Sequence, residues 1–241
     1  MELPPLHEGT FVERINRFLG LVRLNGEEIL CFIPNPGRME ELLLKNATVY
    51  LVRENYQQRS TESKQTPSKE SGRKTEYDLF GVLEGNTFVC IDSRLPSRLF
   101  SEAIETGGIE EFDGYMVEKK EPRFKDVRFD LLLMGKEVCV VETKSCTLVV
   151  DGTAMFPDAP TERGRKHLYR LIEARNSGMR AVVVFVIQRD DAFRLSPNKK
   201  TDPEFALTLF HAMNSGVETL AYLTRKDENR LYLAERIPVE V

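Results

Sequence analysis

Seven consecutive apolar residues, Ala181 to Ile187 (AVVVFVI), constrain this chain more than any other stretch. The run is far too short to span a bilayer. It has no polar residue at alternate positions, so it reads as a strand covered on both faces. Such strands sit in parallel sheets, which need crossover helices. One precedes it: from Thr161 to about Gly178, Leu168, Leu171 and Ile172 recur at helical spacing. Before that helix, Val138 to Lys144 is again strand-like. The three segments predict a β-α-β unit with parallel strands and a right-handed crossover.

A chain of 241 residues has room for one large or two small domains. Its start, MELPPLHEGT, lacks the basic and apolar regions of a secretory signal. The expectation is a cytoplasmic protein with no membrane association. The four cysteines form no C-x-x-C pair and read as buried reduced thiols rather than a zinc site. The net charge of −4 argues mildly against a dedicated electrostatic DNA binder, although a local basic stripe suffices for one.

Upstream of about Ile91 the pattern is short strands with Gly, Asn and Pro punctuation. Candidates are Phe11 to Leu24, Glu27 to Pro34, Ala47 to Glu54 and Glu76 to Asp92, the last turning at Glu84 to Asn86. This predicts a small β-barrel or sandwich. Pro34 to Met39 (PNPGRM) reads as a turn that lifts Asn35 and Arg38 out of the sheet. Gln57 to Gly72, almost without apolar residues, reads as a long mobile loop. Past Ile91 the pattern is mixed α/β. A helix ends at Gly107 or Gly108, with Glu102 off its apolar stripe. Strands follow at Tyr115 to Glu121 and Val127 to Met134. A further helix starts with Asp202 as N-cap and Pro203 at its first position, and two closing strands end the chain.

Three ionisable residues interrupt the strand pair before the first crossover helix: Asp130, Glu142 and Lys144. Charges there lose hydration and need compensation. Glu142 and Lys144 are two apart on one strand and share a face. Asp130 depends on the turn. A two-residue turn at Gly135–Lys136 pairs Phe129 with Glu142 and sends Asp130 to the other face. A three-residue connection, Gly135 to Glu137, pairs Asp130 with Glu142. Facing carboxylates repel unless neutralised, and Mg2+ or Mn2+ does so with oxygen ligands, water and phosphate oxygens. Lys144 would then activate water or stabilise charge on phosphorus. The plain alternative is a strand-end ion pair. Glu102 is a possible third acid. Gln188 ends the apolar strand at the carboxyl edge, where open α/β sheets place ligands.

A second constellation lies on the crossover helix, where Arg163, Lys166, His167 and Arg170 form a stripe. Six Arg and Lys residues face two acids between Thr161 and Arg180. The stripe and the free N–H groups at the helix start suit nucleic-acid phosphates, DNA first and RNA as an alternative. Taken alone, the stripe is equally a solvated helix face, and a lone His167 is more often structural than catalytic.

An Asp on one strand and E-x-K on the next, in the order αβββαβ, resembles the PD-(D/E)XK nuclease superfamily. Asp130, Glu142 and Lys144 match its pattern, and Glu102 and Gln188 its looser accessory positions. Longer runs are closer still to one family: IPNPGRM, SRLPSRLFSEAIETGGI, VRFDLLL, CVVETKSCTLV, AMFPDAPTERGRKHLYRL and GMRAVVVFVIQR. With these the chain is similar to the sugar fermentation stimulation (SfsA) protein family along essentially its whole length.

The resemblance implies an α+β, mixed α/β chain. An OB-like β-barrel would occupy residues 1–85 and a restriction-endonuclease-like αβββαβ domain residues 86–241. It also implies DNA binding. Asp130, Glu142 and Gln188 would serve catalysis with Lys144, and Asp130, Glu142 and Glu102 would hold the cation. The run Thr143 to Thr147 departs from the Val-Lys-Asn-Val-Thr expected after the metal-binding Glu, but the acid and the lysine remain. Arg53, Tyr56, Arg73, Lys74 and Tyr77 flank the polar loop and suit a strand-binding barrel. The alternative function is a non-enzymatic DNA-binding regulator of sugar-metabolism genes. A sugar-binding role finds no aromatic platform, since Trp is absent.

Overall fold

The computed structural model describes residues 1–53 and 75–241. The expected loop Gln57 to Gly72, with Tyr56, Arg73 and Lys74, lies outside the described residues. The chain divides into two compact units, Glu2–Ser93 and Arg94–Val241, the second taking in Met1.

Six strands make the first unit: β1 (His7–Asn16), β2 (Leu19–Leu24), β3 (Glu27–Phe32), β4 (Thr48–Arg53), β5 (Tyr77–Glu84) and β6 (Thr87–Cys90). Their order is β3-β2-β1-β4-β5-β6, and a short parallel pairing of β3 with β5 closes the sheet into a barrel. Strand β2 alternates, burying Gly20, Val22 and Leu24. Irregularities in β1 between Phe11 and Glu13 and between Arg14 and Asn16 sharpen its curvature. Phe11, Val22, Ile33, Val49, Leu51 and Leu79 fill the interior.

The PNPGRM turn corrects an expectation. Arg38 is exposed, but Asn35 is buried. Its Nδ2 donates to Ile91 O at 2.9 Å and its Oδ1 accepts from Gly37 N at 2.8 Å. An asparagine that mimics backbone in a tight turn satisfies its polar groups internally. Arg14 fixes the same turn by donating to the carbonyls of Asn35, Gly37 and Arg38.

The second unit is a mixed α/β sheet with helices on both faces. Its elements are α1 (Pro96–Glu105), β7 (Met116–Lys120), β8 (Arg123–Phe124), β9 (Val127–Arg128), β10 (Leu131–Met134), β11 (Val138–Cys146), β12 (Val149–Val150), β13 (Thr153–Phe156), α2 (Glu162–Asn176), β14 (Arg180–Ile187), β15 (Arg194–Pro197), α3 (Pro203–Asn214), β16 (Glu218–Lys226) and β17 (Leu231–Arg236). The main sheet runs β17-β16-β14-β11-β10-β7. The β11–β14 pairing is parallel, as the apolar run requires, and so is β14–β16. The expected strand over Val127 to Met134 is two strands, broken where Phe129 N donates to Pro122 O and Asp130 N to Val141 O. A small sheet, β12-β13-β15, was not expected.

Which helix covers which face decides the site. Val140, Val183, Phe185 and Ile187 share a buried cluster with Leu168 and Leu171 of α2 and with Phe205 and Leu209 of α3. On the other face Phe100 of α1 packs near Tyr222, which is in register with Val186, itself level with Ser145. Thr161 caps α2 by accepting from Gly164 N at 3.0 Å. A Cβ at Gly164 would stand 2.8 Å from Thr161 Cγ2, so only glycine lets the cap close. All four cysteines are free and buried, and burial pushes the thiols of Cys31, Cys139 and Cys146 up to about 12.

Candidate active site

The connection between β10 and β11 spans Gly135 to Glu137, because Met134 pairs with Val138 and Leu131 with Val141. That is the odd-numbered turn. The ladder does not run on regularly to Asp130, whose N donates to Val141 O, the residue already paired with Leu131, so two residues oppose one there. Asp130 lies just outside β10, and its Oδ2 accepts from both Thr143 N and Thr143 Oγ1 at 2.6 Å. Burial raises its pKa, and the nearby charge of Glu142 raises it further, against the Thr143 hydrogen bonds and Lys144.

Glu142 is only 4% exposed. Lys144 Nζ donates to its Oε1 at 2.5 Å, and Nδ1 of His167 lies in close contact with the same oxygen without an aligned hydrogen bond. Burial acts to raise the Glu142 pKa, but Lys144 and His167 outweigh it and the carboxyl is held below its ordinary value. The second oxygen, Oε2, is buried and meets no donor among the described residues. Leaving such an atom unsatisfied costs about 1–3 kcal/mol. The donor chemistry fits a hard divalent cation: two carboxylates near enough for one charge to raise the other's pKa, one oxygen lacking a partner, and coordination completed by water and phosphate oxygens. Among the described residues no group of three or more His, Cys, Asp or Glu side chains could hold a metal ion.

Two expected members stand elsewhere. Glu102 pairs with the Met1 ammonium at 2.7 Å. It rides on α1, which covers the face away from Glu142 and Lys144. Gln188 is fully buried, and its Nε2 donates to Ser145 Oγ at 2.9 Å rather than to Lys144. Successive strand residues point to opposite faces, so Ser145 and Lys144 cannot share a partner of this kind.

The stripe on α2 also separates. His167 is 4% exposed and turned into the unit, edge-on to Phe129. Arg170 pairs with Asp126 at 2.7 Å and Glu173 at 2.8 Å, and Lys166 pairs with Asp126 at 3.0 Å. These partners hold the Asp126 carboxyl well below the usual range. Arg163 is exposed and has no ion-pair partner among the described residues. In the first unit, Arg53 Nε donates to Tyr77 OH at 3.2 Å and its guanidinium lies 5.6 Å from that ring centre.

Sequence reasoning missed Thr143 as the clamp on Asp130 and Asp126 as the acid that pairs Lys166 and Arg170. It also gave His167 the wrong face. The signal for His167 was present: Gly164, His167, Leu168 and Leu171 recur at spacings of three and four, the pattern of an inward face.

Comparison with known proteins follows these features along the chain. Residues 12–91 match the SfsA N-terminal OB domain, and residues 94–230 match the sugar fermentation stimulation protein RE domain. The chain belongs to the sugar fermentation stimulation protein family. The homologue from Caldanaerobacter subterraneus subsp. tengcongensis is 44% identical over 98% of this chain and 97% of its own length. The one from Moorella thermoacetica is 41% identical over the whole of both chains. The solved structure of Pyrococcus furiosus SfsA in complex with Ca2+ is 31% identical, with a TM-score of 0.88 over 100% of this chain and 98% of that one. The closed barrel and the mixed α/β unit are therefore the OB-like and restriction-endonuclease-like parts of this family. Family and OB domain together support a DNA-binding function. No helix among the described residues is long and apolar enough to cross a membrane.

Proposed function

We propose that this protein binds DNA and hydrolyses phosphodiester bonds at a divalent-cation site, Mg2+ or Mn2+, on Asp130 and Glu142. The observation that carries this reading is the buried, donorless Oε2 of Glu142 beside a second carboxylate and a lysine. The Pyrococcus furiosus relative is solved in complex with Ca2+, another cation that seeks oxygen ligands, which supports reading this chain as a cation binder. The bound cation would polarise a phosphoryl oxygen and lower the pKa of its water. Asp130, fixed by Thr143, and Glu142 would orient it. Lys144 would turn from Glu142 to the charge developing on phosphate. RNA is the other substrate class the site suits.

The test incubates labelled single- and double-stranded DNA and RNA with Mg2+ or Mn2+, beside an Asp130→Ala control. Metal-dependent cleavage that the control lacks is the expected result. Cleavage equal in the control removes Asp130 from the chemistry. One observation favours the rival reading of a non-enzymatic DNA-binding regulator: no third acid joins the two carboxylates among the described residues. Cleavage of nothing with either metal is its outcome.

The interface can be tested residue by residue. Arg163 is exposed without an acidic partner, whereas Arg170 is already tied to Asp126 and Glu173. Arg163→Ala is expected to weaken binding to DNA of every sequence and to lower the salt slope by about 1. Arg170→Ala is expected to do less. Filter-binding titrations at several salt concentrations check both. An Arg163→Ala slope equal to wild type takes this end of α2 out of the interface.

A further inference from the structure

We propose that His167 is the positioning residue for Glu142, fixing one carboxylate oxygen so that the other is left for the cation. The inference rests on the cation-binding reading above and assigns His167 an inward task in place of a phosphate contact.

Both partners of Glu142 sit on one oxygen. Lys144 Nζ donates to Oε1 at 2.5 Å, His167 Nδ1 lies in close contact with the same atom though not aligned as a hydrogen bond, and Oε2 has no donor among the described residues. The two partners differ in kind. Lys144 comes from the same strand on a flexible four-carbon stem. His167 comes from α2, is 4% exposed, and has its ring edge-on to Phe129. A ring with two torsions, packed on a helix that is itself packed on the sheet, holds a carboxylate with little freedom left. This division of labour frees Lys144. A lysine that must reach a phosphate cannot also be the fixed support of the metal ligand. With His167 in place, Lys144 can leave Oε1 without releasing Glu142. To hold the carboxylate in this way the ring must carry a proton on Nδ1 and turn it onto Oε1. Ligand supports of this type commonly change metal affinity by about 10–100-fold when removed.

The experiment titrates Mn2+ into wild type, His167→Phe, His167→Leu and His167→Asn by calorimetry, with metal-free thermal melts of each. His167→Phe and His167→Leu fill the ring's space to different degrees without a donor. His167→Asn keeps a donor near the Nδ1 position. The expected result is a loss of about 10–100-fold in Mn2+ affinity for the apolar variants and near-wild-type affinity for His167→Asn. A structural role predicts the reverse order, with the apolar variants the better tolerated. Equal Mn2+ affinity in His167→Leu or His167→Phe and wild type overturns the proposal, as does an equal loss in all three variants. Wild type that takes up no Mn2+ overturns the cation reading and this inference with it. Should the apolar variants fail to fold, nitrogen NMR of wild-type His167 decides. A ring whose Nδ1 carries a proton supports the proposal, and a neutral ring protonated only at Nε2 overturns it.

Discussion

With Lys144 replaced by alanine, cleavage in Mn2+ is expected to fall about 10²–10³-fold while Mn2+ binding is retained. The geometry separates the two effects. Lys144 touches the oxygen of Glu142 that His167 also contacts, so with His167 as the positioning residue its loss leaves the carboxylate supported. Removing a cation beside two carboxylates also leaves the site no less attractive to a divalent ion. What is lost is a preorganised positive charge near the reacting phosphate. Glu142→Ala behaves differently: it deletes a ligand, so cation and activity disappear together. Calorimetry with Mn2+ and a cleavage assay on each variant separate the cases. Lys144→Ala that cleaves at the wild-type rate would remove the lysine from the chemistry. In the regulator reading no reaction exists to lose, and Glu142→Ala binds DNA more tightly by freeing Lys144 from its acidic partner.

Much of the second unit was legible in the sequence because its signals are local. An unbroken apolar run forces a strand buried on both faces, and the cap and stripe of the preceding helix fix the crossover. The turn after β10 has the odd length, Gly135 to Glu137, but the ladder is irregular at Asp130 itself, so turn length alone does not set its face. What stayed hidden was non-local. Strand β13 pairs in parallel with β15, about forty residues downstream, and β12 is two residues long, so no periodicity marks that sheet. The faces of Glu102 and Gln188 were hidden for a related reason. Alternation tells which residues share a face within one strand. It does not tell which helix covers that face, and α1 covers the one away from Lys144. Asn35 and Asp126 show a third limit, since a polar residue in a turn or loop does not reveal whether it serves a ligand or its own fold.

Asp202→Ala is expected to destabilise the second unit by about 2–4 kcal/mol. The sequence marked Asp202 as the cap of α3, and it does accept from Phe205 N at 2.9 Å. The same buried carboxylate also accepts from Thr161 N at 2.8 Å and from Arg165 Nη1 at 2.9 and 3.0 Å. One side chain thus ties the starts of α2 and α3 together. Loss of a cap costs about 1 kcal/mol. Stranding a buried ion-pair partner costs about 3–5 kcal/mol, reduced here because Arg165 is 23% exposed and keeps Glu204 at 3.3 Å. Burial alone would raise the Asp202 pKa, but the Thr161 and Phe205 amides and Arg165 outweigh it and hold it below the ordinary value. A carboxyl depressed in the folded state contributes its full stability above its unfolded pKa, about 3.9. That contribution is lost as pH falls through the lower folded value. The gap between wild type and Asp202→Ala should therefore be widest near neutrality and narrow in acid. Hydrogen exchange of the β14 amides in urea, at neutral and acid pH, reads the opening of this unit directly. A gap below about 1 kcal/mol at neutral pH would reduce Asp202 to a simple helix cap. A full gap carries a further consequence, because α2 also carries His167. Loosening its start should then weaken Mn2+ binding with no change in any residue that touches Glu142.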